Sequence, residues 1–423
     1  MLGPLPALTA YRADLARHAK ASGLASCDGK WIIVACAVEQ FLLFDSNARS
    51  SVARNLASVL SSASRSEETS AERTQKSIRD LAEKLRRGAS WDDKSAFDGI
   101  VRVAEDMESA GALHLAFTTL AHLRVAFRRV DDRRLYSTLT TLGRISRALG
   151  DLDSAVVLYS EARRSADEVD DHSIRALASH GLGGVALAKG NLPDARKHYE
   201  EALRYSTVAA LPESEGRAHR GLLIVAAKEQ NFDAALRHGW AAFQLEAGDT
   251  DSRAELIGNL AGLCRECGYY DASLAGYAVA VQGAKSYRIR IPALGGAVLA
   301  AAMAQNATLV VSLGRHILKE VDKGAPPFET AQVLVDLALA LEMIGELKAK
   351  EVAARSMIIS SAHHFFELEF QARAIVERFS VPRTTRERVP PIELTEAATA
   401  VVASMTALAG SAGTLRALVG TTE

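Results

Sequence analysis

Small and apolar residues recur along residues 97–360 with two superposed rhythms. The short rhythm is helical. Ala195, Tyr199 and Ala202 fall four and three positions apart, as do Ala155, Tyr159 and Ala162, and Ser273, Tyr277 and Ala280. That spacing puts each trio on one face of a helix. The long rhythm is a repeat. Segments beginning Gly111, Gly150, Gly190, Gln230, Gly268 and Gly345 each place a turn residue five positions before a usually small one. Those later positions, 116, 155, 195, 235 and 273, are separated by 39, 40, 40 and 38 residues. A degenerate segment beginning Gln305 fills the remaining gap before 350 with steps of 37 and 40. Seven units of nearly constant length predict seven helical hairpins. The small residues admit a neighbouring helix and the tyrosine fills the space beside them. Asp153, Asp233 and Asp271 stand where each second helix should begin and are expected to cap it. Pro193 suits the same place, since a first-turn proline loses no hydrogen bond.

The flanks follow other patterns. Residues 1–96 predict a helical bundle capping the array, with helices at Leu8–Lys20, Trp31–Phe44, Ser50–Ser62 and Ser66–Arg87. Residues 97–379 hold the repeats and a closing helix, Phe365–Phe379. Residues 380–423 form a tail: a Pro- and Arg-rich linker to Pro391, a helical stretch Glu393–Ala409, and a frayed end. The tail either moves freely or docks on the array or a partner.

One stretch invites a different reading. Gly181-Leu-Gly183-Gly-Val-Ala186 fits the loose dinucleotide pattern G-x-G-x-x-G/A. A phosphate loop follows a strand and opens a helix, whereas Ser173–His180 is already helical in pattern. The glycines are therefore read as helix-packing positions.

These residues together resemble the tetratricopeptide repeat: a Leu-Gly-like pair such as Leu142-Gly143 or Leu182-Gly183, a turn glycine, then Ala, an aromatic and Ala. The resemblance implies an all-α fold, a right-handed superhelix of helix pairs whose first helices line a concave groove. The forty-residue period is similar to repeats in peptide-binding bacterial regulators and kinesin-light-chain-like adaptors. Positions two, five, six, nine, twelve and thirteen of each first helix are implied to face the groove. Counted so, the candidate peptide-binding residues are Arg144, Arg147, His180, Arg217, Arg220, Lys228, Asn259 and Arg265. Glu255 and Glu266 share that wall, and Leu299, Met303, Val335, Leu339 and Met343 form an apolar end. Arginine forks hold carboxylates and a side-chain amide holds peptide backbone, so an acidic or C-terminal peptide segment is the expected partner. The alternative is that these charges only solvate the wall and pair with Glu255 and Glu266. A chaperone-type carboxylate clamp is matched only by Asn259 and the arginines.

Composition narrows the chemistry. With 50 basic and 51 acidic side chains, the chain lacks the excess charge of a general nucleic-acid binder. No P-loop, G-x-S-x-G or H-E-x-x-H motif occurs, and the expectation is a non-enzymatic scaffold without cofactor or metal. Cys264-x-x-Cys267 falls inside a predicted first helix and reads as core, and Cys27 and Cys36 lie too far away in sequence to complete a zinc site. Four cysteines in 423 residues, no basic-then-apolar start and no stretch of about 20 apolar residues suggest a soluble cytoplasmic protein. Two other roles stay open: a peptide-sensing regulator whose N-terminal bundle acts on a signalling protein, and a self-assembling homo-oligomeric component.

Overall fold

The computed structural model describes residues 94–109, 112–127, 133–246, 250–378 and 390–408, with the single positions Asp80, Glu83 and Leu418. The expected N-terminal bundle with Cys27 and Cys36, the turn at Gly111, and most of the linker and the frayed end lie outside these residues. Among the described residues every regular element is an α-helix, and the helices pack in consecutive pairs as in a tetratricopeptide solenoid. Two compact units are present, divided between Gly190 and Asn191. The first contains α1 (Lys94–Ser109), α2 (Leu113–Phe127), α3 (Arg133–Ala148), α4 (Leu152–Glu168) and α5 (His172–Ala188). The second begins with α6 (Leu192–Val208). The pairs α7 (Pro212–Lys228) and α8 (Phe232–Leu245), α9 (Thr250–Glu266) and α10 (Tyr270–Gly283), α11 (Tyr287–Met303) and α12 (Ala307–Asp322), and α13 (Pro327–Met343) and α14 (Lys348–Ala362) follow. It ends with α15 (Phe366–Arg378) and α16 (Glu396–Leu408).

The turns stand where the repeat places them. Gly150, Gly190, Gly268 and Gly345 all have positive φ, and so do the two glutamines at the same place, Gln230 (58°) and Gln305 (60°). The left-handed residue turns the chain back to satisfy the last carbonyls of the first helix: the Gln230 amide donates to Ala227 O at 3.0 Å and the Asn231 amide to Ala226 O at 2.9 Å. The next residue starts the second helix. Asn231 accepts from Ala234 N at 3.1 Å, and Asp151, Asn191 and Asn306 cap α4, α6 and α12 alike. The caps are therefore earlier than expected. Asp153, Asp233 and Asp271 are second-position residues of their helices, past the point from which a side chain folds back on the free amides. Asp153 binds Lys189 at 2.8 Å. Asp233 binds Arg237 and the tail residue Thr395.

Between pairs, a single aromatic ring sets the spacing. The Tyr159 ring of α4 lies against Gly143 of α3 and Gly181 of α5. Tyr199 lies against Gly221, and Tyr277 against Gly296. At Gly181, Gly221 and Gly296 a β-carbon would fall inside the ring's van der Waals surface. Count each first helix from Tyr136, Ala176, Gly216, Ala254, Ile291 and Ala331, and these three glycines all occupy position six. The second helices α8 and α12 carry Gly239 and Gly314 where α4, α6 and α10 carry tyrosine. There the space is filled from the opposite side: a β-carbon on Gly239 would meet Leu260 Cδ2 at 2.6 Å, and one on Gly314 would meet Leu337 Cδ1 at 3.1 Å. Both leucines are position seven of the following first helix. Position six is then no longer pinned under a ring, and it carries Asn259 and Asp336.

The tail is docked. Pro391 passes over Gly268, the Ile392 amide donates to Cys267 O at 2.9 Å, and the Tyr269 hydroxyl donates to Ile392 O at 2.9 Å. Helix α16 packs on the second helices α8 and α10, with Met405 Cε 2.5 Å from the β-carbon position of Gly276. Leu418 is buried, and its carbonyl lies 2.6 Å from His316 Nδ1. Ala398, Val401, Val402 and Met405 supply the buried stripe that free motion would leave in water.

The ring-on-glycine contact predicts opposite outcomes at two helical glycines. Gly296→Ala lowers stability by about 1–3 kcal/mol through overpacking. Gly258→Ala, whose β-carbon would sit 3.7 Å from Ala280 Cβ, raises it by roughly 0.5–1 kcal/mol through helix propensity. Urea denaturation followed by circular dichroism checks both.

Candidate binding face

In the second unit the first helices α9, α11 and α13 lie side by side, α11 packing on both neighbours. The packing already described decides which side chains reach their common face. Arg265 leaves the last turn of α9, and its guanidinium bonds Glu266 Oε1 at 2.8 Å with 20% of the side chain exposed. Tyr277 comes from α10 behind, passes between α9 and α11 along Gly296, and brings its hydroxyl 3.4 Å from the β-carbon position of Gly262. Asp336 projects from α13 over Gly295 of α11 and accepts one hydrogen bond, from Gln332 Nε2 to Oδ1 at 3.3 Å. The front of α11 between these groups is Pro292, Gly295, Gly296 and Leu299, small or apolar throughout.

The electrostatics follow from burial. Desolvation pushes the Asp336 carboxyl up to about 6, against the opposing pull of Gln332 and Arg265. Burial also raises the Tyr277 phenol, with Arg265 pulling the other way, so the hydroxyl remains a donor at neutral pH. A cation, a buried phenol and a carboxylate thus lie close enough across α9, α11 and α13 to act on one another. Arg265 is joined to Glu266, not to Asp336, and α11 runs between them.

The residues expected from the sequence fall in both units. In the first, Arg144 pairs with Glu108 of α1. Arg147 stands near the Tyr159 hydroxyl, whose phenol is raised by burial and pulled down by that arginine. His180 is half-buried on α5. In the second, Arg217 pairs with Glu213 one turn earlier, and Arg220 pairs with Glu246 and reaches Ser252 O at 3.5 Å. Lys228 and Asn259 are exposed. Four of these arginines form ion pairs, but only Arg265 has one of the two glutamates expected on that wall, Glu266, as its partner, and Glu255 pairs with none of them. Val335, expected on the apolar end, is fully buried because position five of α13 turns into the core, whereas Leu299, Leu339 and Met343 are half-buried. Asp336 was missed, although counting from Ala331 puts it at position six, the place that is Asn259 in α9.

Cys264 and Cys267 are buried in the core as expected. Desolvation first, then the neighbouring negative charges, push their thiols up to about 12 and about 11, so neither is a thiolate nucleophile at neutral pH. Among the described residues no group of three or more His, Cys, Asp or Glu is placed to hold a metal ion, and no helix is long and apolar enough to cross a membrane.

Comparison with known proteins agrees with this geometry. Residues 134–207 match the family model of the tetratricopeptide repeat. No curated protein matches the chain in sequence. Among solved structures, a signal transduction ATPase with numerous domains and a tetratricopeptide repeat sensor, from Pyrococcus horikoshii, is similar with a TM-score of 0.51 at 13% identity. The match covers 79% of this chain and 55% of that one. Aspartyl phosphate phosphatase F from Bacillus subtilis gives a TM-score of 0.45 at 10% identity, over 87% of this chain and 98% of that one. A Rap protein complexed with Competence and Sporulation Factor gives 0.45 at 10% identity, over 82% and 97%. At 13% identity the likeness to the Pyrococcus protein is one of fold alone.

The buried carboxyl has a measurable consequence. Unfolded Asp336 titrates near its ordinary value of 3.8 and the folded group at about 6. As pH rises between those values the unfolded chain releases this proton before the folded one does, so the contribution of Asp336 to stability falls across that window and is level above it. Asp336→Asn is therefore more stable than the natural chain at pH 7.5, by on the order of 2 kcal/mol. The gain fades towards pH 4. Denaturation curves at both pH values check this.

Proposed function

We propose that this tetratricopeptide-repeat chain is a non-enzymatic protein- or peptide-binding scaffold, and that the first helices of its second unit receive an extended segment of the partner. The observation that carries the reading is the polar convergence of Arg265, Tyr277 and Asp336 on the α9–α11–α13 face, over a small-residue floor. An extended peptide presents carbonyls, amides and side chains at regular intervals, and this face offers donors, an acceptor and flat apolar surface in return.

Lys228 and Asn259 are exposed on neighbouring first helices and suit an acidic or C-terminal segment. The ammonium meets a carboxylate and the amide spans backbone N–H and C=O. Arg217 and Arg220 are already neutralised by Glu213 and Glu246. A ligand carboxylate would have to displace those partners, so the two arginines contribute less to affinity than their charge suggests.

Binding of labelled acidic peptides to the full chain tests the reading. The double variant Lys228→Ala, Asn259→Ala should weaken binding at least about tenfold, the cost of losing one charge-assisted and one neutral hydrogen bond. Arg217→Ala with Arg220→Ala should weaken it by less than about threefold. Unchanged affinity in the first variant, with helix content intact, overturns the assignment.

A further inference from the structure

We infer that Asp336 receives a cationic group of the bound segment, a lysine ammonium, an arginine guanidinium or an N-terminal amine, so that the face reads the order of charges along its ligand. The inference rests on the peptide-binding reading above and adds a second specificity position to it.

Three observations carry it. The first is placement. Asp336 occupies position six, which in α5, α7 and α11 is a glycine sealed under a tyrosine ring. In α13 the ring is replaced by Gly314, Leu337 fills the space instead, and position six is released to carry a functional group. The second is an incomplete set of partners. Oδ1 accepts from a neutral amide only, and no ion pair reaches either oxygen. Oδ2 lies against the bare backbone of Gly295. The third is the surrounding charge. Arg265 is joined to Glu266 on α9, and the stretch of α11 beside Asp336, from Pro292 to Leu299, carries no charged residue. A ligand cation set on Gly295 would complete the pair that Arg265 does not make. The raised carboxyl described above agrees with this: a charge that folding disfavours is stabilised when a cation arrives.

The geometry also gives a spacing. Asn259 and Asp336 are separated by one intervening first helix, or about 16–20 Å at the usual 8–10 Å between packed helices. An extended chain covers about 3.3–3.6 Å per residue, so the basic residue should stand about five residues from the acidic stretch.

Selection of a random displayed peptide library on the full chain tests the proposal. The expected motif has an acidic stretch and one lysine or arginine about five residues away. A selected peptide should lose about tenfold affinity when that lysine is changed to norleucine, and the loss should vanish on Asp336→Asn, a variant expected to be more stable than the natural chain. An acidic motif with no preferred cation overturns the inference and leaves the scaffold reading standing. So does a lysine preference that survives Asp336→Asn. Failure to enrich any peptide overturns both.

Discussion

A tyrosine ring pressed onto a bare helical backbone holds successive repeats in register. The ring needs a site without a β-carbon on the next first helix, and Gly181, Gly221 and Gly296 supply it for Tyr159, Tyr199 and Tyr277. Protein interiors are packed closely enough that one extra methyl group is felt. The ring and its glycine therefore act as a single unit of the fold. The left-handed turns and the short caps bring each second helix back at a fixed angle, so that the ring arrives at the right height.

The same constraint decides where chemistry can appear. A position six covered by a ring has no room for a functional side chain. In the second unit the two first helices that follow Gly239 and Gly314 escape this, and they carry Asn259 and Asp336. Asn259 and Asp336 thus come from interruptions of the packing rule. Tyr277 packs both its ring and its hydroxyl on Gly296, with the hydroxyl 3.4 Å from the β-carbon position of Gly262.

Much of this was legible in the residues. Six turn positions, including the unconventional Gln230 and Gln305, stand where the forty-residue spacing puts them, because a left-handed turn cannot shift without dragging both helices. The closing helix and α16 also lie close to their expected bounds. The exact caps were not legible, since Asn231 and Asp233 are both good capping residues and only helix geometry separates them. Tail docking depends on a stripe, Val401, Val402 and Met405, whose partner surface is more than a hundred residues earlier. Ion pairs such as Arg220 with Glu246 depend on loop geometry. Asp336 could have been found by counting, yet its significance lies in Gly314, a residue on another helix whose lost ring is a three-dimensional fact.

Hydrogen–deuterium exchange of the full chain, with and without a selected peptide, tests the account most directly. Ligand seated on the first-helix face should slow exchange in α9, α11 and α13 and leave the tail-covered second helices α8 and α10 unchanged. Protection confined to α8, α10 or α16 would show that the partner binds the opposite side and would contradict the account.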